Sequence, residues 1–440
     1  MRPSLYPMNH SFDTVYAPSS AVGGAICVIR VSGRDTRAVV RAILDAPVCE
    51  TPNLLRRASI LQNGAAVDDC MAVFFKAPKS YTGEDMLELH CHGGIQTVRT
   101  VLETLSLAGA VPAEPGAFTK RAFLNGKMDL SQAEAVMDVI NAQSQSGLRV
   151  ALEQLGGSVS RRIRYAEDLL LDVRAAIEAA IDYPDEAEID SACIGTLSDA
   201  EAELCALIEE GRRGRVLRDG LKIAILGRPN VGKSSLLNAL LGQDRAIVTA
   251  AAGTTRDVLD EQTVIEGVPV RLIDTAGLRE AVDEAERIGV ERAKNAMDAA
   301  DALLIVLDGS VPETAEETAL LAQTAQRKRI VVANKCDLGT VTHADLAISC
   351  RTGEGLGELK TRIAAFAESA GQSTVCITNE RHIRALELAR EAVSHAGTQQ
   401  EPDCIATDVQ EALHQLGTIT GTDVDAEVVN RIFQNFCVGK

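Results

Sequence analysis

Apolar positions along the chain change their spacing three times, and each change predicts a different kind of structure. Up to residue 125, short runs of strand length (AICVIRV at 25–31, MLELH at 86–90) alternate with a stretch at 96–107. There Val98, Val101, Leu102 and Leu105 recur at helical steps. The mixture predicts a small α+β domain over 1–125. From 126 the text turns to Ala, Leu, Glu and Arg, and an apolar stripe at steps of three and four runs from Leu148 through Leu155, Ile163 and Leu170 to Ile181. This predicts one long amphipathic helix ended by Pro184, weakened or kinked at Gly156-Gly157 by roughly 1 kcal/mol per glycine.

At 221 the pattern becomes short buried strands (LKIAIL, VRLID, ALLIVLD, IVVAN, LAIS) separated by helical stretches as far as about residue 366. That alternation implies a mostly parallel sheet with right-handed crossovers. From 372 to 440 helical stripes return, at Ile383 and Leu386, at Val409, Leu413 and Leu416, and at Val428, Ile432 and Phe436, with Thr422 or Asp423 as a cap. The predicted architecture is multidomain, α+β and α/β: an N-terminal domain (1–125), a first helical segment (126–220), an inserted domain (221–371) and a second helical segment (372–440). The two helical segments are expected to pack into one bundle.

The chain has 440 residues, 46% hydrophobic and 24% charged, which suits two or three globular domains rather than disorder. Its longest apolar runs, such as 302–307, fall far short of the ~18 residues of a membrane span. The opening MRPSLYPMNHSF has no apolar signal core, so a cytoplasmic location is expected. Lys and Arg number 44 against 62 Asp and Glu, a balance of −18 that repels polyanions and confines any nucleic-acid contact to a local patch. The dense basic cluster is Arg212, Arg213, Arg215 and Arg218, which either meets RNA phosphates or forms a solvated helix end. Eleven cysteines without a C-x-x-C spacing read as reduced thiols. His90-Cys91-His92 lacks the further ligands of a metal site, because alternate strand residues face opposite ways.

The strongest chemical signal is G-R-P-N-V-G-K-S at 227–234, directly after LKIAIL and before a helical stretch. Such a loop wraps phosphates with the backbone N–H groups of Asn230, Val231, Gly232, Lys233, Ser234 and Ser235. Lys233 neutralises the β/γ charge and Ser234 can hold Mg²⁺. Asp274, Thr275, Ala276 and Gly277 follow the strand VRLI, placing a carboxylate near the metal shell and an N–H near a γ-phosphate. Thr254 and Thr255, in AGTTRD at 252–257, lie where a Mg²⁺-sensing switch belongs, and the stretch Thr249, Ala250, Ala251, Ala252, Gly253 leading into them is counted with the nucleotide-binding residues. Asn334, Lys335 and Asp337 end the strand IVVA, and a carboxylate there selects guanine through its N1–H and amino donors. Ser349, Cys350 and Arg351 can close over the base. These elements predict a GTP-binding domain. Leu278 stands where Ras-like enzymes keep a water-orienting Gln, so the attacking water needs another handle. Glu286 is either that handle or a solvated acid in a charged loop.

Across its whole length the chain resembles the MnmE (TrmE) family of tRNA modification GTPases. The resemblance rests on SYTGEDMLELHCHGG at 80–94, EPGAFTKRAFLNGKMDLSQAEA at 114–135, IDYPDE at 181–186, AGTTRDV at 252–258, DTAGLRE at 274–280 followed by ERIG, and the terminal FCVGK. It implies an N-terminal folate-binding and dimerisation domain, a helical domain from the two helical segments, and an inserted G domain. It further implies a homodimer whose G domains meet in the GTP state, with K⁺ in place of an arginine finger. Asn230, Thr249, Ala251 (through its carbonyl) and Thr254 match the K⁺ ligands, Ser234 and Thr255 the Mg²⁺ ligands, and Glu286 the catalytic acid. Arg30, Glu88, Lys127 and Lys440 match the 5-formyl-tetrahydrofolate site, and Cys437 a cysteine proposed to act in the modification chemistry. On residue type alone, Arg30 reads as a strand-end surface cation and Lys127 as an exposed loop lysine, and Cys437 equally as a buried thiol beside Phe436.

The implied activity is GTP hydrolysis coupled, with an FAD-dependent MnmG-like partner in a heterotetramer, to an aminomethyl or carboxymethylaminomethyl addition at C5 of the wobble uridine (position 34) of certain tRNAs. Two departures stand out: Ser19 to Gly24 replaces the family's Gly-Arg-Gly-Gly turn, and Val438 replaces Ile. A ribosome-assembly GTPase and a slowly hydrolysing GTP-gated scaffold are the rival expectations.

Overall fold

The computed structural model describes residues 13–183, 191–242, 260–274, 297–339, 343–368 and 377–440. The chain forms two compact units. One comprises Met1–Met137, Leu155–Arg174 and Ala406–Lys440, the other Asp138–Gln154 and Ala175–Ile405.

The first unit is built on a six-stranded sheet of β1 (Val15–Pro18), β2 (Ile26–Ser32), β3 (Arg56–Gln62), β4 (Ala65–Phe75), β5 (Met86–His92) and β6 (Val111–Pro112), in the order β3-β4-β5-β2-β1-β6. All neighbours are antiparallel except β1 and β6. Strand alternation sends Cys27, Ile29, Val31, Leu87, Leu89 and Cys91 to one face. There they pack with Val39, Val40 and Ile43 of α1 (Thr36–Ile43) and with Val98, Val101 and Leu105 of α2 (Ile95–Leu107). Each such side chain contributes about 1.5–3 kcal/mol on full burial. Arg30, Glu88 and His90 are left on the opposite face. Asp68 Oδ1 accepts from His92 Nδ1 of the His-Cys-His run at 2.7 Å, while Cys91 lies in the core.

The end of the chain returns to this unit. Phe123 of α3 (Ala117–Leu124) and Leu130 of α4 (Leu130–Asn141) pack with Val429 and Phe433 of the last helix of the chain, Ala426–Gln434, and with Phe436 just beyond it. Gly116 lies under that helix: a Cβ there would sit 2.7 Å from the Phe433 carbonyl oxygen. The last helix begins after Asp425, whose side chain makes no capping bond, so the cap falls beyond the expected Thr422 or Asp423. Those two residues lie instead in the connection from Pro402–Thr420, where Thr422 meets Thr420 and Asp423 meets His414.

The expected single helix over 148–181 is two, α5 (Gln145–Leu155) and α6 (Ser158–Asp182). Gly157 has φ +80°, a left-handed conformation that stops a helix rather than kinking it. Pro184 lies outside the described residues.

In the second unit β7 (Leu221–Leu226), β8 (Asp260–Ile265), β9 (Val268–Asp274), β10 (Ala302–Asp308), β11 (Arg329–Asn334) and β12 (Leu346–Ala347) form a sheet ordered β12-β11-β10-β7-β9-β8. It is parallel except for β8, which pairs antiparallel with β9. The strands bury Ile223, Ile225, Leu304 and Val332 against Leu236 and Leu240 of α8 (Lys233–Leu241) and Leu359 and Ile363 of Leu356–Glu368.

Along the β8–β9 hairpin, Gln143 Nε2 donates to Gln262 Oε1 in mid-β8 at 2.7 Å, and at the turn the Ser146 hydroxyl donates to the Gly267 carbonyl at 3.4 Å. The arginine cluster lies near the end of α7 (Ser191–Asp219). Arg212 pairs with Glu387, Arg215 with Asp301 and Arg218 with Asp138, while Arg213 donates to the Glu209 carbonyl. These bonds hold three of the four guanidinium groups to other segments of the same unit, which is a structural use of the charge. Among the described residues no helix is long and apolar enough to cross a membrane.

Candidate functional site

The loop 227–232 leaves the buried strand β7 and enters α8 through two glycines in left-handed or near-extended positive φ. A Cβ on Gly227 would lie 2.3 Å from the Val306 carbonyl oxygen, and one on Gly232 would lie 2.2 Å from Asn334 Nδ2. Glycine is therefore required by the packing of the loop as well as by its turns. The Lys233 ammonium is folded over the loop and donates to the carbonyls of Gly227 and Arg228, both at 2.7 Å. Ser234 and Ser235 are exposed on the first turn of α8, so their hydroxyls are open to a ligand at the helix N-terminus.

Asn334, at the end of β11, is 2% exposed and joins two parts of the site. Its Nδ2 donates to the Val231 carbonyl at 2.9 Å, and its Oδ1 accepts from the Cys350 backbone N–H at 3.2 Å. Lys335, at φ +65°, stretches back to donate to the Asn230 carbonyl at 2.9 Å and to Asp308 Oδ2 at 2.6 Å. Burial opposes ionisation of Asp308, but the bonds from Lys335 and Ser310 together outweigh it and hold the carboxyl below its ordinary range. Asp337 accepts from the Ser349 hydroxyl and from Arg351 Nη2, each at 2.6 Å, and these donors, Ser349 foremost, hold it below the usual carboxylate range.

Gly232, Ser235, Asn334, Asp337, Ser349 and Cys350 line a cavity of about 340 Å³, with Lys335, Leu338 and Arg351 at its edge; that volume is of the order of a ligand pocket. It opens at the carboxyl ends of the parallel strands, where open α/β sheets bind ligands. The structure thus brings together the loop 227–232 and the segments 334–337 and 349–351, which the sequence analysis expects to hold phosphates and base. Asp274 ends β9 in register with Ile225. Thr249 to Thr255, Thr275 to Gly277 and Glu286 lie outside the described residues. Asp308 is absent from the sequence reading. Its signal was available, since it ends ALLIVLD one strand from Asn334 and pairs with it in register.

On the first unit, Arg30 Nε donates to Glu88 Oε1 at 2.8 Å, and the guanidinium lies 5.4 Å from the centroid of the Tyr81 ring. Tyr81 exchanges a hydrogen bond with Thr119 at 2.9 Å; burial pushes its phenol up. Lys127 donates to the Pro78 carbonyl at 3.1 Å. The closing residues join the same neighbourhood: the Phe118 N–H donates to the Lys440 carbonyl at 3.2 Å and the Gly116 N–H to the Cys437 carbonyl at 3.3 Å. Cys437 itself is exposed rather than buried beside Phe436. Tyr81 and Thr119, which sequence reading left without a role, connect the Arg30–Glu88 pair to the helix that receives the tail.

The altered turn is held by its own serines. Ser19 N–H donates to the Val28 carbonyl at 2.7 Å, Val28 N–H to Ser20 Oγ at 2.9 Å, and the Ser19 hydroxyl to the Gly439 carbonyl at 3.0 Å. Gly439 has φ +92° and a Cβ there would lie 2.0 Å from the Pro18 carbonyl oxygen. Gly439→Ala should therefore lift the tail at a cost above about 1 kcal/mol. Faster amide exchange at Gly116 and Phe118 is the expected signature, and unchanged protection would show that the tail is held some other way.

A family model for the MnmE helical domain matches residues 130–437, and one for the N-terminus of the GTP-binding protein TrmE matches 14–127. The tRNA modification GTPase MnmE of Lactiplantibacillus plantarum is 42% identical over 99% of this chain and 100% of its own length. The chain belongs to the MnmE family. The MnmE of Akkermansia muciniphila is 44% identical over 97% of this chain and 99% of its own. Among solved structures, the G domain of Thermotoga maritima FeoB covers 33% of this chain and 98% of its own at 28% identity and TM-score 0.26. Aquifex aeolicus Era covers 41% and 69% at 27% identity and TM-score 0.28. The match to the helical-domain model spans the strands β7 to β12 as well as the helices on either side of them.

Proposed function

We propose that this MnmE family member is a K⁺-dependent GTP hydrolase that works as a cytoplasmic homodimer. With an FAD-dependent MnmG-like partner it adds an aminomethyl or carboxymethylaminomethyl group at C5 of uridine 34 in certain tRNAs. The observation that carries the nucleotide part is the cavity in which Asp337, kept ionised by Ser349 and Arg351, faces the space above the phosphate loop. The proposed domain limits are 1–125, 126–220, 221–371 and 372–440, the two helical segments making one domain.

Asp337 would accept from the guanine N1–H and amino group, and the N–H groups of the loop with Lys233 would hold the phosphates. Oxygen donors suit hard cations: Ser234, exposed on α8, with Thr255 would hold Mg²⁺, and Asn230, Thr249, Ala251 and Thr254 would hold K⁺. The K⁺ supplies fixed positive charge against the charge that develops on the phosphates. Glu286 would orient the attacking water through its carboxylate, the role that Leu278 cannot take.

Arg30, Glu88, Lys127 and Lys440 would hold the 5-formyl-tetrahydrofolate, and the polar face around Arg30 fits it. A carboxylate there has acceptor capacity for a pteridine edge beyond the one bond from Arg30, and cations suit the glutamate tail. Cys437, exposed on the docked tail, would act in the uridine chemistry.

Turnover measured in KCl and NaCl tests the cation: GTP hydrolysis is expected in K⁺ and near background in Na⁺, and equal rates would remove the K⁺ assignment. Glu286→Ala should lower turnover by roughly a hundredfold or more while GTP affinity stays within about twofold. Unchanged turnover would return Glu286 to the solvated acids of its segment.

A further inference from the structure

One polar side chain on the outer face of the N-terminal sheet has no use in the scheme above. Strand β5 turns Leu87, Leu89 and Cys91 into the core and leaves Glu88 and His90 on the other face. The register sets Arg30 opposite Glu88, and Val28 opposite His90. Nε2 of His90 is closed off from solvent yet has no hydrogen-bond partner. Glu88 Oε2 lies 3.8 Å from it, beyond hydrogen-bond reach, while Glu88 Oε1 is taken by Arg30 at 2.8 Å. A buried polar atom left unmade costs about 1–3 kcal/mol. An apolar side chain opposite Val28 would avoid that cost, so packing gives no reason for an imidazole here. A ligand that occupies the face beside Glu88 does give one.

The ligand's chemistry says what the nitrogen would meet. A folate pteridine presents a 2-amino group, N3–H and a 4-oxo group in succession along one edge. A carboxylate accepts from the first two and leaves the neighbouring carbonyl in need of a donor. Neutral imidazole can supply one through Nε2–H. We propose that His90 donates from Nε2 to the 4-oxo group of the pteridine. His90 would thus be the specificity-determining residue that separates 4-oxo folates from 4-amino analogues. The inference rests on the assignment of this face to the one-carbon carrier.

Calorimetry on the full chain tests it with two probes, 5-formyl-tetrahydrofolate and a 2,4-diamino analogue with the same glutamate tail. The natural protein should prefer the 4-oxo compound by roughly tenfold or more, since a donor facing a donor leaves both unpaired. His90→Phe, which keeps a ring but no donor, should bring the two affinities within about twofold of each other, and His90→Gln, which keeps a donor, should retain most of the preference. Amide-exchange protection of Leu87 and Leu89, on the core face of the same strand, reports that the N-terminal unit of each variant is folded. A preference that survives in His90→Phe, or none in the natural protein, overturns the role of His90. Binding of neither compound by the natural protein removes the one-carbon assignment itself, and the proposal with it.

Discussion

Asp337→Asn is expected to turn the nucleotide preference from guanine to xanthine. The carboxylate now accepts from two donors of the chain, Ser349 and Arg351, and retains lone pairs for two more from the base. An amide in its place offers one acceptor and one NH₂. Against guanine the NH₂ faces another amino group, and affinity should fall on the order of a thousandfold, about 4 kcal/mol at 1.4 kcal/mol per decade. Xanthine carries a carbonyl at that position and should recover most of the loss. Competition of GTP and XTP for the variant measures it, and a variant that still prefers GTP would mean that another group reads the base. The sign of the pH response follows from the same bonds. Because Asp337 is held below the ordinary carboxylate range, guanine affinity should persist as pH falls through about 4 and fade only below it.

Gly232→Ala should weaken binding of every nucleotide, whatever the base. The added carbon would sit 2.2 Å from Asn334 Nδ2, at a φ of +99° that alanine resists. Asn334 cannot yield without losing the Val231 carbonyl on one side or the Cys350 N–H on the other. The affinity for GTP should drop at least about a hundredfold, roughly 2.7 kcal/mol, and XTP should give no rescue. Filter binding of labelled GTP and XTP distinguishes this from the base-specific loss at Asp337; wild-type affinity in Gly232→Ala would show that the loop adapts.

The parts of this fold that the sequence made legible are those where burial is continuous. ALLIVLD and IVVAN are buried along nearly their whole length, and their apolar runs announce them. β8 was not legible, because DEQTVI pairs on one side only and four of its six residues are polar. The break at Gly156-Gly157 was seen as a weakness, but only the positive φ of Gly157 makes it an end. In the nucleotide site, the motifs gave the residue types and the strand ends gave their meeting place. The bond from Lys335 to Asp308 depends on a register between strands that no local pattern encodes. The N-terminal site depends still more on distant contacts. Ser19 and Gly439 are 420 positions apart, so nothing but the family resemblance linked the tail to that domain.

The β8–β9 hairpin has one further consequence. Its two ends lead to the stretches before Asp260 and after Asp274, where the sequence places the expected switch segments, while Gln143 meets it in mid-β8 at Gln262 and Ser146 at its turn at Gly267. Six paired residues at about 3.3 Å each make a stiff rod of roughly 20 Å. β9 is bonded to β7 as far as Asp274, so the unbraced part of such a push-rod is β8 with the turn, which is the part that Gln143 and Ser146 touch.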